Sequence, residues 1–400
     1  MTRSCGMSAT AESFSAGSRE AAGMSKDYRI GFLCASTSWG GLEMNVLRLA
    51  VWLRDRGWEV VLYGNPESIM AEKARAGGIT VRRIVSDFKY GDLVNARRLA
   101  RRCRKDNVRR LIINYGKDLL LSVLAKKASG GFFKLILLQH MHVGGRKTDF
   151  FHTWEYKHLD AWVAPLPMFA ERLTQTTRLD PRKISVIPFG IELERFTDNR
   201  PAQAAARQRL DLPDHVLLAG VIGRLDPKKG QDVLIRACAG VHAAGHPLHL
   251  LVVGDKTAND ETDYSRHLRE LVARLDLTGC VHMRPYLPQV EYAYAALDMF
   301  VMASHSETYG MVTIEAMACS LPVIGTAEGG TVQIIEDNVS GLLVPPRDVE
   351  RLTEALLKLA RDRALAARLG KQAAIDAIRK YSHRQQCSAM EQMLEQIGER

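Results

Sequence analysis

A strand, a glycine-containing loop, a helix and a second strand follow one another twice in this chain. The first series runs from YRIGFLC through ASTSWGGLEMN to WEVVLYG, and the second from HVLLAGVI through GRLDPKKG to LHLLVVG. Parallel strands need a crossover helix of this kind, because no short turn can join two strands that point the same way. The pattern therefore predicts an α/β chain with two doubly wound, Rossmann-like parallel sheets.

Length and the other apolar segments agree with two domains. The 400 residues exceed what one compact core usually contains, and RLIINYG, FKLILLQ, AWVAP, MFVMAS and LPVIGT are typical of buried strands. In ISVIPFGIELERFTDNRPAQ, the residues Pro188, Gly190 and Pro201 mark a hinge-like connection. We predict a disordered N-terminal extension over residues 1–26, a first domain over 27–198, a second over 199–380, and a C-terminal helix over 381–400 whose packing on the first domain is left open.

Charge and cysteine content restrict the partners and the location. The formal net charge of +10 favours phosphate-bearing partners, and the seven cysteines form no C-x-x-C pair, so a reducing cytoplasm is the simplest location. The basic residues are not interleaved with stacking aromatic residues, so nucleic acid is not an expected partner. No segment reaches the roughly 20 apolar residues that span a bilayer, so membrane contact is expected to be peripheral.

The segment SETYGMVTIEAMA places Glu307 and Glu315 on either side of Gly310. It follows the predicted strand MFVMAS, so Glu307 falls at a strand's carboxyl end, where open α/β sheets bind ligands. A helix that begins near Gly310 would point the amides of Met311 and Val312 at a phosphate. The two glutamates would then flank a diphosphate with hydroxyls on both sides, as in a nucleotide-sugar. Taken alone, the pair favours a structural explanation, in which Glu307 caps the helix and Glu315 is solvated on its surface.

The segment GRLDPKKG places Arg224 and Lys229 in a loop that also follows a predicted strand. Arginine grips phosphate oxygens as a planar fork and lysine acts as a mobile point charge, so together they could neutralise a leaving diphosphate. The alternative is an exposed basic turn.

With these motifs together, the chain resembles the retaining GT-B glycosyltransferases of family 4. The resemblance covers nearly everything after residue 27 and is carried by SWGGLEMNVLRLAVWLRDRGWEVVLYG, VIPFGIELERF, GRLDPKKGQDVLIRA and SETYGMVTIEAMACSLPVIGTAEGGTVQIIEDNVSGLLVPP. It implies two Rossmann-like domains that face a cleft, with the donor held mainly by the C-terminal domain and the acceptor by the N-terminal one. Two positions depart from the family pattern, Gln333 in place of Glu and Thr308 in place of Gly.

The resemblance also implies a role for each motif residue. Glu315 would bind the ribose hydroxyls, and Arg224 and Lys229 would hold the diphosphate. Glu307 and the amides of residues 310–312 would hold the transferred sugar. Because these cations and helix amides supply the positive charge, neither a metal nor another cofactor is expected.

The first domain would contribute two glycines and a histidine. The resemblance implies that Gly40 and Gly41 border the phosphates from across the cleft. His140 directly follows the strand LILLQ, where the family carries a histidine near the reacting sugar, and its expected task is to orient donor sugar and acceptor. His142 stays open as the alternative.

The implied activity is that of a retaining, metal-independent hexosyltransferase. Family frequency favours a UDP-sugar donor, with the base selected by backbone contacts near residues 284–286. The acceptor would be a hydroxyl of a glycan or of a lipid-linked or lipopolysaccharide-type saccharide. A non-catalytic sugar-nucleotide-binding protein that keeps the donor site stays the alternative, whereas a dinucleotide oxidoreductase is disfavoured because neither glycine loop contains G-x-G-x-x-G with a suitably spaced acidic residue.

The segment DLVNARRLARRCRKDNVRR predicts an amphipathic basic helix. Its apolar side carries Ala96, Leu99, Ala100 and Cys103, and its basic residues are Arg97, Arg98, Arg101, Arg102, Arg104 and Lys105, with Arg82, Arg83, Arg109 and Arg110 nearby. An anionic lipid surface attracts such residues by roughly 1 kcal/mol each. The segment favours peripheral binding at the cytoplasmic membrane face, and a solvated basic helix is the equally weighted alternative.

Overall fold

Two parallel sheets organise the chain. The structure is a computed structural model that describes residues 29–84, 92–255, 263–305 and 307–399, so the predicted extension over 1–26 lies outside the described residues. The strands of the first sheet are β1 (Arg29–Cys34), β2 (Val60–Gly64), β3 (Thr80–Arg83), β4 (Val108–Ile113), β5 (Lys134–Leu138), β6 (Ala161–Ala164) and β7 (Ile184–Val186). Those of the second are β8 (Leu217–Ile222), β9 (Leu248–Val253), β10 (Val281–Arg284), β11 (Met299–Met302), β12 (Val323–Thr326) and β13 (Leu342–Val344).

Helices connect successive strands, as parallel pairing requires. Those before β8 are α1 (Gly41–Asp55), α2 (Ile69–Ala76), α3 (Leu93–Lys105), α4 (Leu119–Ala128), α5 (Phe150–Lys157), α6 (Pro167–Thr176) and α7 (Gln203–Arg209). Those after it are α8 (Gln231–Ala243), α9 (Tyr264–Arg274), α10 (Glu291–Ala296), α11 (Met311–Ala318), α12 (Thr331–Ile334), α13 (Val349–Arg361), α14 (Arg363–Lys380) and α15 (His383–Glu399).

The order of the strands shows that both sheets are doubly wound. The first sheet has the order β3-β2-β1-β4-β5-β6-β7 and the second β10-β9-β8-β11-β12-β13. In each, the order reverses beside the first strand of the series, between β1 and β4 and between β8 and β11. The loops that leave the carboxyl ends of such a pair diverge and open a crevice that suits a ligand. The predicted α/β class with two Rossmann-like sheets is confirmed.

The strands that the sequence did not predict are the edge strands of the two sheets, β3, β7, β10 and β13. None of the residues of β3 or β7 is buried, so neither shows the continuous apolar run that marks a central strand. The segment predicted as a hinge-like connection therefore begins inside the first sheet, because Ile184–Val186 pairs with β6.

The chain separates into two compact units, Met1–Leu137 and Leu138–Arg400, and the division falls at the end of β5. In the second unit, α15 is anchored to the segment before α7. Gly190 donates its N–H to the side-chain oxygen of Gln386 at 2.8 Å, and Ile191 forms an isolated bridge with Ser382. The predicted domain boundaries at residues 198 and 381 stay predictions.

The basic segment forms α3, with the predicted apolar residues Ala96, Leu99, Ala100 and Cys103 buried. One of the basic residues expected near this helix, Arg110, does not lie on the surface. Arg110 lies on β4, is only 6% exposed and packs its guanidinium over the ring of Trp58, because the strand begins at Val108 and turns this side chain inward. Arg82 forms an ion pair with the buried Asp106. Arg97, Arg98 and Arg101 are exposed on α3, and Arg83 on β3 and Arg109 on β4 are exposed as well.

Candidate functional site

The two predicted motif loops meet at the reversal point of the second sheet. GRLDPKKG follows β8 and SETYG follows β11, and these strands pair in parallel with Met299 opposite Ala219. Gly230 closes the first loop at a φ of +66°, and a Cβ there would lie 2.2 Å from the carbonyl oxygen of Ala303. A glycine is thus needed at this position for the two loops to touch.

A cation and a carboxylate join the two loops. The Nζ atom of Lys229 lies 2.6 Å from Oε2 of Glu307, and the two side chains are 26% and 14% exposed. The loop after β12 holds the backbone of Glu307 in position, because Gly330 donates its N–H to the carbonyl oxygen of Glu307 at 3.1 Å. The pair is half-buried at a strand's carboxyl end, where a phosphate oxygen can replace the carboxylate as the partner of Lys229 and a sugar hydroxyl can donate to Glu307.

Arg224 lies in the same loop with an exposed side chain. Its backbone is fixed by a hydrogen bond, because the amide Nε2 of the buried Gln231 donates to the Arg224 carbonyl oxygen at 2.8 Å. The backbone at Arg224 is therefore fixed, whereas the exposed side chain is free to turn its guanidinium toward a ligand that arrives from solvent.

Gly310 caps α11, as the sequence predicts for the helix start. Its φ of +94° turns the chain sharply, and Thr313 and Ile314 donate their N–H groups back to the Gly310 carbonyl oxygen at 3.0 and 3.3 Å. The preceding amides, those of Met311 and Val312, are the first-turn donors that a helix leaves without a partner inside the helix. Together with the positive end of the helix dipole, they favour an anion at this end of α11.

Glu315 lies deeper along α11 and is buried, with 7% exposure. Tyr294 on α10 donates its hydroxyl to Oε2 of Glu315 at 2.8 Å and also approaches the Val312 carbonyl oxygen at 3.1 Å. The tyrosine fixes the direction of a carboxylate that can still accept further hydrogen bonds. Sequence patterns carry no signal for Tyr294, since a tyrosine on an amphipathic helix is usually a core residue.

His140 belongs to an aromatic cluster that reaches the Glu307 loop. Its ring stacks on Phe189 with a centroid distance of 4.7 Å, and Phe189 in turn meets Tyr309 edge-on at 4.9 Å. Tyr309 also donates its hydroxyl to the Phe189 carbonyl oxygen at 2.9 Å. Phe189 and Tyr309 lie in the quoted motifs VIPFG and SETYG, but their contact with His140 could not be read from the sequence.

The imidazole of His140 is neutral and incompletely bonded. Burial lowers the pKa of His140 from 6.5 to about 3. Its Nε2 atom is buried and has no hydrogen-bond partner among the described residues. Buried polar atoms are rarely left unbonded in native proteins, so Nε2 is a position at which a ligand hydroxyl would be accommodated.

The other histidines of this region lie in different surroundings. His142 is exposed and meets Phe169 edge-on at 4.8 Å; partial burial and then the neighbouring Arg172 lower its pKa. His152 is held by Asp149 at 2.6 Å, and His158 is hydrogen-bonded to the Trp154 carbonyl oxygen at 2.8 Å. Of the predicted pair, His140 is the one in the aromatic cluster.

The structure places Gly40 and Gly41 in the first unit, at the start of α1. The reversal point of the first sheet carries a polar cluster that the sequence reading missed. Asn114 and Asp118 follow β4, both are at least 95% buried, and Oδ1 of Asn114 has no partner among the described residues. Burial raises the pKa of Asp118 to about 6. The signal available was the position of Asn114 directly after a strand, with Asp118 in the loop that follows.

Gln333, which stands where the family pattern has Glu, contacts the start of α6. Its Oε1 atom accepts the N–H of Met168 at 3.1 Å.

Within residues 29–84, 92–255, 263–305 and 307–399, no group of three or more His, Cys, Asp or Glu side chains is arranged to hold a metal ion. In that part of the chain, no helix has the length and apolar character needed to cross a bilayer.

Two Rossmann-like parallel sheets, the second of which brings two glycine-containing loops together at its reversal point, are the architecture of a GT-B type α/β protein, and solved structures agree. The chain is similar to a glycosyltransferase from Rickettsia africae, with a TM-score of 0.83 and 20% identity over 93% of this chain and 99% of that one. It is also similar to Anabaena HepE, crystallised with UDP, with a TM-score of 0.81 and 20% identity over 92% of this chain and all (100%) of that one. These likenesses show the fold.

Family models match both parts of the chain. The model described as Glycosyl transferases group 1 matches residues 202–376, and the model described as Glycosyltransferase Family 4 matches residues 39–195. The two ranges together span most of the chain. The chain therefore belongs to the group 1 glycosyltransferases of the GT-B fold.

Curated relatives share a part of the sequence. A D-inositol 3-phosphate glycosyltransferase of Stackebrandtia nassauensis is 38% identical over 216 residues, which cover 52% of this chain and 48% of the relative. One of Salinispora arenicola is 37% identical over 222 residues, covering 52% and 49%. The chain thus matches about half the length of these curated relatives.

Proposed function

We propose that this chain is a retaining glycosyltransferase that moves a hexose-type sugar from a nucleotide-diphosphate-sugar to a hydroxyl acceptor without a metal ion. The observation that carries the proposal is the contact between Lys229 and Glu307 at 2.6 Å beside the first turn of α11. A cation, free helix amides and a carboxylate at one crevice are what a diphosphate with an attached sugar requires.

Each donor contact follows from the chemistry of the group. Arg224, Lys229 and the amides of Met311 and Val312 hold the diphosphate, whose negative charge grows as the bond to the sugar breaks. Glu307 accepts hydrogen bonds from the sugar hydroxyls. Glu315, fixed by Tyr294, accepts them from the ribose hydroxyls.

The proposed reaction replaces one bond to the anomeric carbon by another on the same face. The bond between that carbon and the diphosphate oxygen breaks, the acceptor oxygen forms the new bond, and the acceptor proton passes to a donor phosphate oxygen. The neutral imidazole of His140 orients the sugar through its unpartnered Nε2 atom rather than taking the proton, because its lowered pKa makes it a weak base.

A uridine nucleotide is the donor to test first. The Anabaena structural neighbour has been crystallised with UDP and also with UDP-glucose, which supports a nucleotide-sugar of this kind for a chain of the same fold. The curated relatives are named for D-inositol 3-phosphate, so a small polyol phosphate belongs in the acceptor panel beside saccharides and lipid-linked saccharides.

The acceptor is proposed to bind the first unit at the reversal point between β1 and β4. Asn114 and Asp118 supply buried polar groups there, and Oδ1 of Asn114 is without a partner among the described residues. Hydroxyl groups of an acceptor suit such a place, because they can donate to both side chains. The exposed arginines of α3 support action at the cytoplasmic face of an anionic membrane, on an acceptor carried by a lipid.

The test is a transfer assay in the presence of a chelator. The purified chain is incubated with UDP-, GDP- and ADP-hexoses and the acceptor panel, and the product is examined by proton NMR while it forms. We expect transfer from one nucleotide class, with the anomeric configuration of the donor kept. An inverted product would overturn the retaining mechanism. Nucleotide binding without any transfer would favour the non-catalytic alternative.

A further inference from the structure

An exposed aromatic surface follows the candidate histidine in the sequence. Phe150 and Phe151 open α5 and are 87% and 41% exposed, and Met141, in the same connection between β5 and α5, is 62% exposed. Large apolar side chains are seldom presented to water to this extent in succession, and such patches commonly mark a binding surface. We call Phe150 and Phe151, with Trp154 one turn on, the α5 aromatic face.

This face is held in place by the backbone around it. The Asp149 side chain caps α5 by accepting the N–H of His152 at 3.0 Å. Lys147 donates its N–H to the carbonyl oxygen of Thr176 at 2.7 Å, which ties the connection to the end of α6. Phe151 stacks on Trp154 with a centroid distance of 6.4 Å. Presenting the aromatic rings on a capped, tethered helix reduces the entropy lost when they enter an apolar phase.

Charge beside the aromatic rings indicates which occupant they fit. Arg146 and Lys147 precede α5 by a few residues, and Arg146 is exposed. The acidic neighbours in this segment are Asp149, whose Oδ2 lies 2.6 Å from Nδ1 of His152, and Glu155, which is buried. Protruding aromatic rings next to lysine and arginine are typical of helices that lie in the interface of an anionic bilayer. The net charge of +10 acts in the same direction.

We propose that the α5 aromatic face, with Arg146 and Lys147, docks into the interfacial layer of an anionic lipid bilayer. Phe150, Phe151 and Met141 supply the apolar contact of this docking surface. The docking itself is independent of the proposed function. One consequence rests on that function: docking would bring a lipid-carried acceptor to the chain segment that begins at His140.

The test is flotation of the full chain with vesicles of phosphatidylcholine alone and of phosphatidylcholine mixed with phosphatidylglycerol. The variant Phe150→Ser/Phe151→Ser removes the aromatic rings. The matched control is Ile375→Ser/Ile378→Ser, which removes two apolar side chains of 46% and 50% exposure from α14. A third variant, Arg97→Gln/Arg101→Gln, weakens α3. Circular dichroism establishes that each variant is folded.

We expect the wild type to float with the anionic vesicles, the Phe150/Phe151 variant to lose roughly tenfold or more in partitioning, and the Ile375/Ile378 control to match the wild type. The α3 variant should lose less, and high salt should weaken its binding less than it weakens that of the wild type. The proposal is overturned if the Phe150/Phe151 variant floats like the wild type, or if no protein floats.

Light scattering after size exclusion tests the competing occupant. If the wild type self-associates and Phe150→Ser/Phe151→Ser is monomeric, the face joins two copies of the chain and the bilayer proposal is wrong. UDP binding measured on the same samples separates the two proposals, because flotation without nucleotide binding would remove the proposed function and leave the docking surface intact.

Discussion

The imidazole of His140 stacks on the ring of Phe189 at 4.7 Å, with the two planes 17° apart, and its Nε2 atom is buried without a partner among the described residues. Folding therefore selects the neutral ring. Because burial lowers the pKa of His140 from 6.5 to about 3, the unfolded chain binds a proton between these values that the folded chain does not. The contribution of this group to the free energy of unfolding is constant above pH 6.5 and falls as the pH decreases below it.

We expect this one histidine to cost about 2 kcal/mol of stability between pH 7 and pH 5, from about 1.4 kcal/mol per pH unit. Denaturant unfolding of the wild type and of His140→Gln at both values measures the difference. The variant should lose about that much less on acidification. The control is His267→Gln, an exposed position on α9, which should follow the wild type. An equal pH dependence in His140→Gln would contradict the assigned burial.

Lys229 and Lys228 are neighbours in one turn with different surroundings. Lys229 forms the ion pair with Glu307, whereas the Lys228 side chain is exposed and its backbone carbonyl accepts the N–H of His305. We expect Lys229→Ala to weaken UDP binding by about 10- to 100-fold, the value of a charge-assisted contact of about 1.5–3 kcal/mol. Lys228→Ala should change it less than about threefold. Equilibrium dialysis with labelled UDP measures both, and equal losses would show a merely electrostatic effect of net charge.

Substitutions of Glu315 and Arg224 should affect binding of different parts of the nucleotide. Glu315 is buried against Tyr294 and is assigned to the ribose hydroxyls, whereas Arg224 is assigned to the diphosphate. Glu315→Gln should therefore weaken UDP by about tenfold and leave inhibition by inorganic pyrophosphate unchanged. Arg224→Ala should weaken both ligands. Competition of UDP and pyrophosphate for labelled UDP-sugar measures the pattern, and loss of pyrophosphate affinity in Glu315→Gln would refute the assignment.

Gly230 has a left-handed φ and lies close to the backbone of the loop that follows β11. A Cβ there would lie 2.2 Å from the Ala303 carbonyl oxygen, whereas Gly245, with a φ of +78°, would place its Cβ with no atom of the described chain within 4 Å. We expect Gly245→Ala to cost about 1 kcal/mol from backbone conformation alone. Gly230→Ala should cost at least about 2 kcal/mol and should also weaken UDP binding. Denaturant unfolding and nucleotide titration of both variants test this, and equal costs would mean that the loop contact is unimportant.

Sequence patterns predicted the central strands of each sheet but not its edge strands. The central strands are continuous apolar runs because both of their faces are covered. The edge strand β3 reads TVRR and β10 reads VHMR, short segments that mix polar with apolar residues, so no periodic signal marks them. Arg110 was assigned to a basic surface for the same reason, since a charged residue at the start of a strand does not reveal which face it occupies.

In the candidate site, the order of residues along the chain was enough to predict the loops, but only the structure shows which side chains contact each other. The position of Glu307 and Gly310 after β11 followed from strand, glycine and helix signals. The contact of Lys229 with Glu307 joins residues 78 positions apart, and that of Tyr294 with Glu315 depends on how α10 packs on α11. Neither distance can be obtained from periodicity, because it is set by the order of the strands in the sheet.

The central claim is that a nucleotide diphosphate binds where the loops after β8 and β11 meet. Calorimetric titration of the purified chain with UDP, GDP and ADP tests it most directly. The account predicts that one of the three, with UDP expected, binds to a single site and that Arg224→Ala reduces this binding. If the folded wild type binds none of them, the donor site, and with it the proposed glycosyl transfer, is contradicted.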